Sequence, residues 1–461
     1  MDKIWIPDIT GSHLPAYKAI AESITQGIKS GILQPGHQLP THRALAELLG
    51  LSIGTITRGY AEAERLQLIQ STVGSGTFVL SKGQKSGDLG IDAPSADILD
   101  MSLSVALPLE ARYITKPYFD LAADLNALAR MSRYQPEISH EHLRAAHEKW
   151  LAAIGVNLCE TQHICTTVGG QHALYAALSS VCEAGDTILS DQLTYPGLLA
   201  IGRRLNIKVV GIESDQFGMV PDALALAIQR YMPKAVYLMT RLSTPTCMSM
   251  PQSRIDTIAK IVQEKSVWMI EDDVQGCLHP TSNALFINTV PHSTLLVSSL
   301  SKALLGGLRI GLLYVPERLS RSVRNTVTTQ ILVPPMLTSE LYTQLMLDND
   351  LHALMAKQKQ KLAERHRIAH TILGDYLSEH TAGSLNIWLT LPAHWRPESF
   401  VKAMKEEGVI IKSAASFCTS RTYVPAAVRI SLGGTLSDTQ LIQGLTKIKA
   451  ILNTEAHESF V

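Results

Sequence analysis

The sequence predicts an α/β protein in two parts. A small helical head with a β-hairpin is joined by a polar linker to a large part in which strands and helices alternate. Three observations carry this reading. At 461 residues the chain is too long for one ordinary domain. Residues 81–97, SKGQKSGDLGIDAPSAD, are rich in Ser, Gly, Asp and Lys and poor in large apolar groups, as a linker is. Beyond it, over residues 98–455, short apolar runs alternate with helical patterns. With 46% hydrophobic residues the chain can bury a large core.

Composition also narrows the function. The six cysteines (159, 165, 182, 247, 277 and 418) form no CxxC pair and no metal-ligand spacing, as expected of reduced thiols in a cytoplasmic protein. No signal peptide and no apolar run of membrane-spanning length is evident. Forty-one basic residues balance forty-one acidic ones, so any contact with nucleic acid must be local.

The head spans residues 12–80. Ile20, Ile24 and Ile28 recur every four residues and mark one apolar helix face, which Gly31 ends. Pro35-Gly36 is a turn. Thr41 stands where an N-cap belongs, before HRALAELLG, whose Gly50 closes a second helix. Ser52 can cap a third, with Ile56, Tyr60 and Ala63 facing inward. The runs LIQST and GTFVL, joined around Val73-Gly74-Ser75, complete a winged helix-turn-helix. Thr55, Thr57 and Arg58 then lie on the exposed face of the third helix, suited to phosphates and base edges, with Arg43 and Ser52 nearby. Residues 1–80 hold six basic and six acidic side chains, so one head should bind weakly and two would be needed.

The string LQPGHQLPTHRALAELLGLSIGTITRGYAEAERLQLIQSTVGSGTFV resembles the DNA-binding domain of GntR-type bacterial regulators. That family often has Arg directly after the cap of its third helix. Here the position is Ile53.

In the large part, three buried-looking strands carry polar clusters at their carboxyl ends. AVYLMT leads into Arg241-Leu-Ser-Thr244-Pro245, VWMI into Glu271-Asp272-Asp273, and LLVS into Ser299-Leu-Ser301-Lys302. Ligands of open α/β sheets collect at this edge. Ser299 and Ser301 beside Lys302, with Arg309 seven residues on, suggest a phosphate site next to a reactive amine. Alone, such a lysine is more often merely solvated. Gly169-Gly170-Gln171 opens a helical pattern whose backbone N–H groups at Gly170 and Gln171 would face a phosphate. Asp272 offers a carboxylate to a ring nitrogen, and Tyr195 an aromatic face.

In this order the pieces resemble the fold-type-I aminotransferases, which use pyridoxal 5′-phosphate, and the resemblance implies a large α/β domain with a small α+β subdomain at its C-terminal end. Joined to the head, they resemble the MocR/GabR-like subfamily of regulators. The resemblance implies that Lys302 binds the cofactor covalently, that Asp272 pairs with its ring nitrogen and that Tyr195 stacks on its ring. Gly170, Gln171, Ser299, Ser301 and Arg309 would hold its phosphate. Arg429, in AAVRISLG, would bind an effector's carboxylate, and Tyr134 matches a residue that reaches the partner subunit's phosphate. Without the resemblance, Arg429 reads as the solvent face of an alternating strand. Two positions depart from the family. Thr244-Pro245-Thr246-Cys247 stands for Asn-Pro-Thr-Gly, and Val274 for a tyrosine. Both lost groups donate to the cofactor's phenolic oxygen; Thr244 keeps a shorter hydroxyl and Val274 offers none.

The resemblance thus implies a cytoplasmic regulator, homodimeric and carrying pyridoxal 5′-phosphate. It would sense a small amino compound, by exchange of that amine for Lys302, and bind a double-stranded DNA operator through Thr41, Arg43, Ser52, Thr55, Thr57 and Arg58. Two rivals remain: an aminotransferase with an appended DNA-binding domain, and a regulator that has lost the cofactor.

Overall fold

The computed structural model describes residues 5–9, 14–34, 36–66, 68–72, 76–79, 98–132, 134, 141–160, 162–279, 284–349, 351–377, 383–420 and 424–454. The 81–97 linker, Pro35 and the 73–75 join lie outside them. Contacts divide the chain into two compact units, Met1–Gly90 and Ile91–Val461.

In the first unit, α1 (Ala16–Lys29) buries Ile20 and Ile24 against Leu45, Ile56 and Tyr60. Thr41 accepts a bond from the Ala44 N–H at 3.2 Å and so starts α2 (His42–Leu49). Gly50, at φ 64°, takes the left-handed turn that closes it. Ser52 accepts from the Thr55 N–H at 3.2 Å and starts α3 (Ile53–Arg65). The wing has one strand more than its sequence suggests. A two-residue strand β1 (Gln38–Leu39) joins the hairpin of β2 (Ile69–Thr72) and β3 (Gly76–Val79), pairing antiparallel with β3. Two residues are too few to show an alternating pattern.

The second unit begins with β4 (Leu99–Asp100) and is built on a seven-stranded sheet. Its strands include β5 (Gln162–Thr167), β6 (Thr187–Asp191) and β7 (Lys208–Ile212). A small hairpin, β8 (Ser214–Asp215) and β9 (Gly218–Met219), precedes β10 (Ala235–Leu238), β11 (Trp268–Asp272), β12 (Thr294–Ser299) and β13 (Gly311–Pro316). The order is β5-β13-β12-β11-β10-β6-β7. Every pairing is parallel except the two made by β13, which runs against its neighbours. Its start, at Gly311, therefore reaches the same edge as the carboxyl ends of the others. All positions of β10, β12 and β13 are buried, which explains their unbroken apolar runs.

A three-stranded antiparallel sheet of β14 (Asn386–Thr390), β16 (Lys412–Ser413) and β17 (Ala427–Ser431) forms the expected C-terminal α+β part, with β15 (Val409–Ile410) pairing parallel to β4. All five positions of β17 are buried, so Arg429 does not lie on a solvent face. No helix among the described residues is long and apolar enough to cross a membrane.

The Arg241 guanidinium locks the loop after β10 to the end of β11. It grips both carboxylate oxygens of Asp273, with Nε at 2.9 Å from Oδ1, and donates to the Ile154 carbonyl at 3.1 Å. Both side chains are buried. Asp273→Ala would strand a buried charge and is expected to cost about 3–5 kcal/mol of unfolding free energy, measured by denaturant titration; a midpoint unchanged from wild type would contradict this role.

Candidate functional site

Buried charge concentrates at the carboxyl edge of the large sheet. Lys302 sits in the turn after β12, where its ammonium group donates to the Ser104 carbonyl. Burial, with Arg429 and Arg309 nearby, lowers its pKa to about 8, and Asp272 pulls in the other direction. An amine near that value is partly neutral at physiological pH and therefore nucleophilic.

The expected phosphate donors meet beside it. Gly169, at φ 83°, precedes the helix Gly170–Val181, whose first N–H groups, at Gly170 and Gln171, have no partner within the helix. Arg309 reaches the Val168 carbonyl at 3.3 Å and the Ser301 hydroxyl at 3.4 Å. A Cβ on Gly169 would stand 2.4 Å from the Arg309 guanidinium, and one on Gly311 would stand 2.5 Å from the Gly169 backbone. Glycine at both positions is what lets the arginine lie against this turn. Ser299 and Ser301 bond through their hydroxyls at 2.9 Å. Val168, Gln171, Arg309, His172, Tyr175, Ile201 and Gln330 line an open cleft of about 440 Å³. Tyr195 stands directly before the helix Pro196–Arg204, and its hydroxyl donates to the Gln171 side chain at 2.7 Å.

Asp272 ends β11 fully enclosed. Burial raises its pKa to about 6, opposed by the Tyr237 hydroxyl at 2.7 Å and the Val274 N–H at 3.2 Å. Each carboxylate oxygen keeps a further lone pair for a ring N–H. Its neighbours in the Glu-Asp-Asp run serve the fold: Asp273 holds Arg241, while Glu271 accepts from the Phe286 and Ile287 N–H groups, both at 2.9 Å.

Arg429 is 7% exposed. It stacks on Phe417 at 5.0 Å and donates to the Ser102 carbonyl, and its Nε is buried without a partner. Burial lowers its pKa to about 10. An unmet donor on a buried guanidinium is suited to a carboxylate.

The corner at Thr244 differs from what the sequence suggests. Val274 packs toward Gly170, where a Cβ would meet it at 2.9 Å. The next residue, Gln275, carries the polar group. Its amide donates to the Thr244 hydroxyl at 2.8 Å and accepts from Asn386 at 3.3 Å, and Asn386 accepts from the Ser104 hydroxyl at 2.6 Å. This buried row links Thr244 to the residue whose carbonyl holds Lys302. Thr244 is thus not the sole polar group of its corner. Gln275, Asn386, Ser104 and Tyr237 were not legible as site residues, because nothing local distinguishes them.

In the first unit, Arg43 and Arg58 are exposed, and the Arg58 guanidinium lies over the Tyr17 ring at 5.6 Å. Ser52 and Thr55 join hydroxyls at 2.9 Å, and Thr57 donates to the Ile53 carbonyl at 2.9 Å. Tyr134 is 81% exposed.

Residues 111–448 match the family described as aminotransferase class I and II, and residues 16–79 match the bacterial regulatory proteins of the gntR family. The chain belongs to both. It is a GntR/MocR-family regulator with an N-terminal helix-turn-helix and an aminotransferase-like domain. The regulator is 28% identical over 457 residues to the uncharacterized HTH-type transcriptional regulator YdeF of Bacillus subtilis (strain 168), covering 97% of each chain. It is 21% identical to the probable rhizopine catabolism regulatory protein MocR of Rhizobium meliloti, over 82% of this chain and 80% of that one. Among solved structures, its fold is similar to that of the α-aminoadipate aminotransferase LysN of Thermus thermophilus, with a TM-score of 0.70 and 19% identity over 80% of this chain and 97% of that one.

The charge arrangement sets a pH expectation for the regulator. Labelling of Lys302 in the cofactor-free protein by an amine-directed reagent, followed by peptide mass spectrometry, should be half-maximal near pH 8. Arg429→Met removes a positive neighbour and should move the midpoint up; Asp272→Asn should move it down. A wild-type midpoint near that of an ordinary lysine would contradict the site's electrostatics.

Proposed function

We propose that this regulator carries pyridoxal 5′-phosphate and uses it to sense a small amino compound, with the head binding a double-stranded DNA operator. The observation that carries the reading is the buried, unpartnered Nε of Arg429 beside the lowered amine of Lys302. Together they offer a carboxylate clamp and a nucleophilic amine to one ligand. The residues present also fit the cofactor: the glycines at 169 and 311 let the Arg309 guanidinium lie against the turn that opens the helix Gly170–Val181, and three cationic or hydroxyl donors gather there.

Bound there, pyridoxal 5′-phosphate supplies an aldehyde carbon at which amines exchange and a ring that withdraws electrons. Gly170, Gln171, Ser299, Ser301 and Arg309 would hold its phosphate, Asp272 would keep its ring nitrogen protonated, and Tyr195 would pack on the ring. Thr244 would donate to its phenolic oxygen. Lys302 would hold the cofactor through its Nζ and, as a free amine, would carry a proton. Arg429 holds the effector's carboxylate and so selects amino acids over plain amines.

The regulator works as a homodimer in this reading. Tyr118, Phe119, Leu125 and Leu128 are exposed on two consecutive helices, Arg112–Ala123 and Leu125–Met131, as an interface between subunits requires. Thr41 and Ser52 hold the starts of α2 and α3, and Arg43 and Arg58 contact phosphates.

With pyridoxal 5′-phosphate the purified protein should show a visible absorption band that borohydride removes and that Lys302→Ala lacks; a wild type with no such band overturns the cofactor assignment. In a salt titration of DNA binding, Arg58→Ala should weaken affinity and lower the slope by about one phosphate contact. An unchanged slope would take Arg58 out of the interface.

A further inference from the structure

The first turn of α3 is unusual for a surface meant to meet DNA. Its outward residues are Ile53, Gly54, Thr57 and Arg58, which form two rows at four-residue spacing, Ile53 with Thr57 and Gly54 with Arg58. Ile53 is 49% exposed at the first helical position. A Cβ on Gly54 would meet only the Ser52 hydroxyl, at 3.9 Å, so nothing crowds this side of the helix.

The polar groups of the turn are largely committed. The Ser52 and Thr55 hydroxyls share one hydrogen bond, the Ser52 oxygen also caps Thr55, and the Thr57 proton goes to the Ile53 carbonyl. One hydroxyl proton among the three residues is left to donate outward. The group with reach is the Ile53 side chain; Arg58 on the same helix and Arg43 on α2 are exposed as well. In helix-turn-helix docking, the start of the second helix of the motif meets base edges while flanking cations meet phosphates. Thymine is the base that presents an apolar group in the major groove, its 5-methyl.

We infer that Ile53 is a specificity-determining residue of the head and recognises thymine through its 5-methyl group. The inference rests on the head binding duplex DNA and adds to it which base is read and by which side chain. No hydrogen bond is involved, so discrimination comes from burying one methyl-sized group, about a four-fold effect on affinity per contact.

The test uses the full-length protein. Duplexes selected by it from a random pool are resynthesised with deoxyuridine replacing thymine at one position at a time, which removes only the 5-methyl. Wild type should lose about four-fold in affinity at one position of each half-site. Ile53→Ala should bind the thymine duplex more weakly and lose the difference between thymine and deoxyuridine. Ile53→Val should keep much of it, and Ile53→Arg should select guanine instead. Because Ile53 is outside the core, Ile53→Ala should unfold with the wild-type midpoint. Equal wild-type affinity for thymine and deoxyuridine at every position, or a difference that survives in Ile53→Ala, overturns the inference and leaves DNA binding standing. If no duplex is retained at low salt, DNA binding itself fails, and the inference fails with it.

Discussion

Removing an ion from water is costly enough that buried charges persist only beside partners or where a ligand completes them. At the carboxyl edge of the seven-stranded sheet this constraint orders the site. Arg241 and Asp273 complete each other, and Glu271 is satisfied by backbone N–H groups. Those pairs fix the ends of β10 and β11. Lys302 and Arg429 are compensated less fully, an amine lowered to about 8 and a guanidinium with one donor unmet, and Asp272 keeps lone pairs that its Tyr237 and Val274 donors leave open. The same run of sequence thus holds charges that stabilise the fold and charges that remain available for chemistry.

The reversed direction of β13 contributes as much as any side chain. It brings Arg309 and Gly311 to the edge where the parallel strands end, and so places a guanidinium against the turn that opens the helix Gly170–Val181. The glycines at 169 and 311 are required by that approach. Donor groups from three separate stretches, those proposed to hold a phosphate, converge because of topology, at the usual ligand edge of an open sheet.

What the sequence reveals follows from how local each signal is. Thr41, Gly50 and Ser52 mark helix ends through bonds to near neighbours, so both ends of α2 and the start of α3 are readable to the residue. The carboxyl-edge clusters are readable because each follows an apolar run directly. By contrast, Ser104 and Asn386 lie 282 positions apart and acquire meaning only when β14 brings them together. Gln275 is missed for a subtler reason. At the end of a strand, one residue decides whether a side chain faces a helix or the site, and Val274 takes the helix. Arg429 needed the family resemblance, since an arginine in an alternating strand reads as exposed until the strand is known to be covered on both faces.

The head shows the same division of labour on a smaller scale. Its hydroxyl groups mostly shape the helix starts, which leaves apolar and cationic groups to face outward. The functions proposed for the head and the large unit meet in one claim, that amine exchange at Lys302 changes how the protein holds DNA. The most direct measurement is the affinity of the cofactor-loaded full-length protein for a selected duplex as amino acids and the corresponding plain amines are added in turn. At least one amino acid should shift the affinity several-fold in wild type, and Lys302→Ala loaded with the same cofactor should show no shift. An equal response in Lys302→Ala, or an affinity that no amine changes, would contradict the claim.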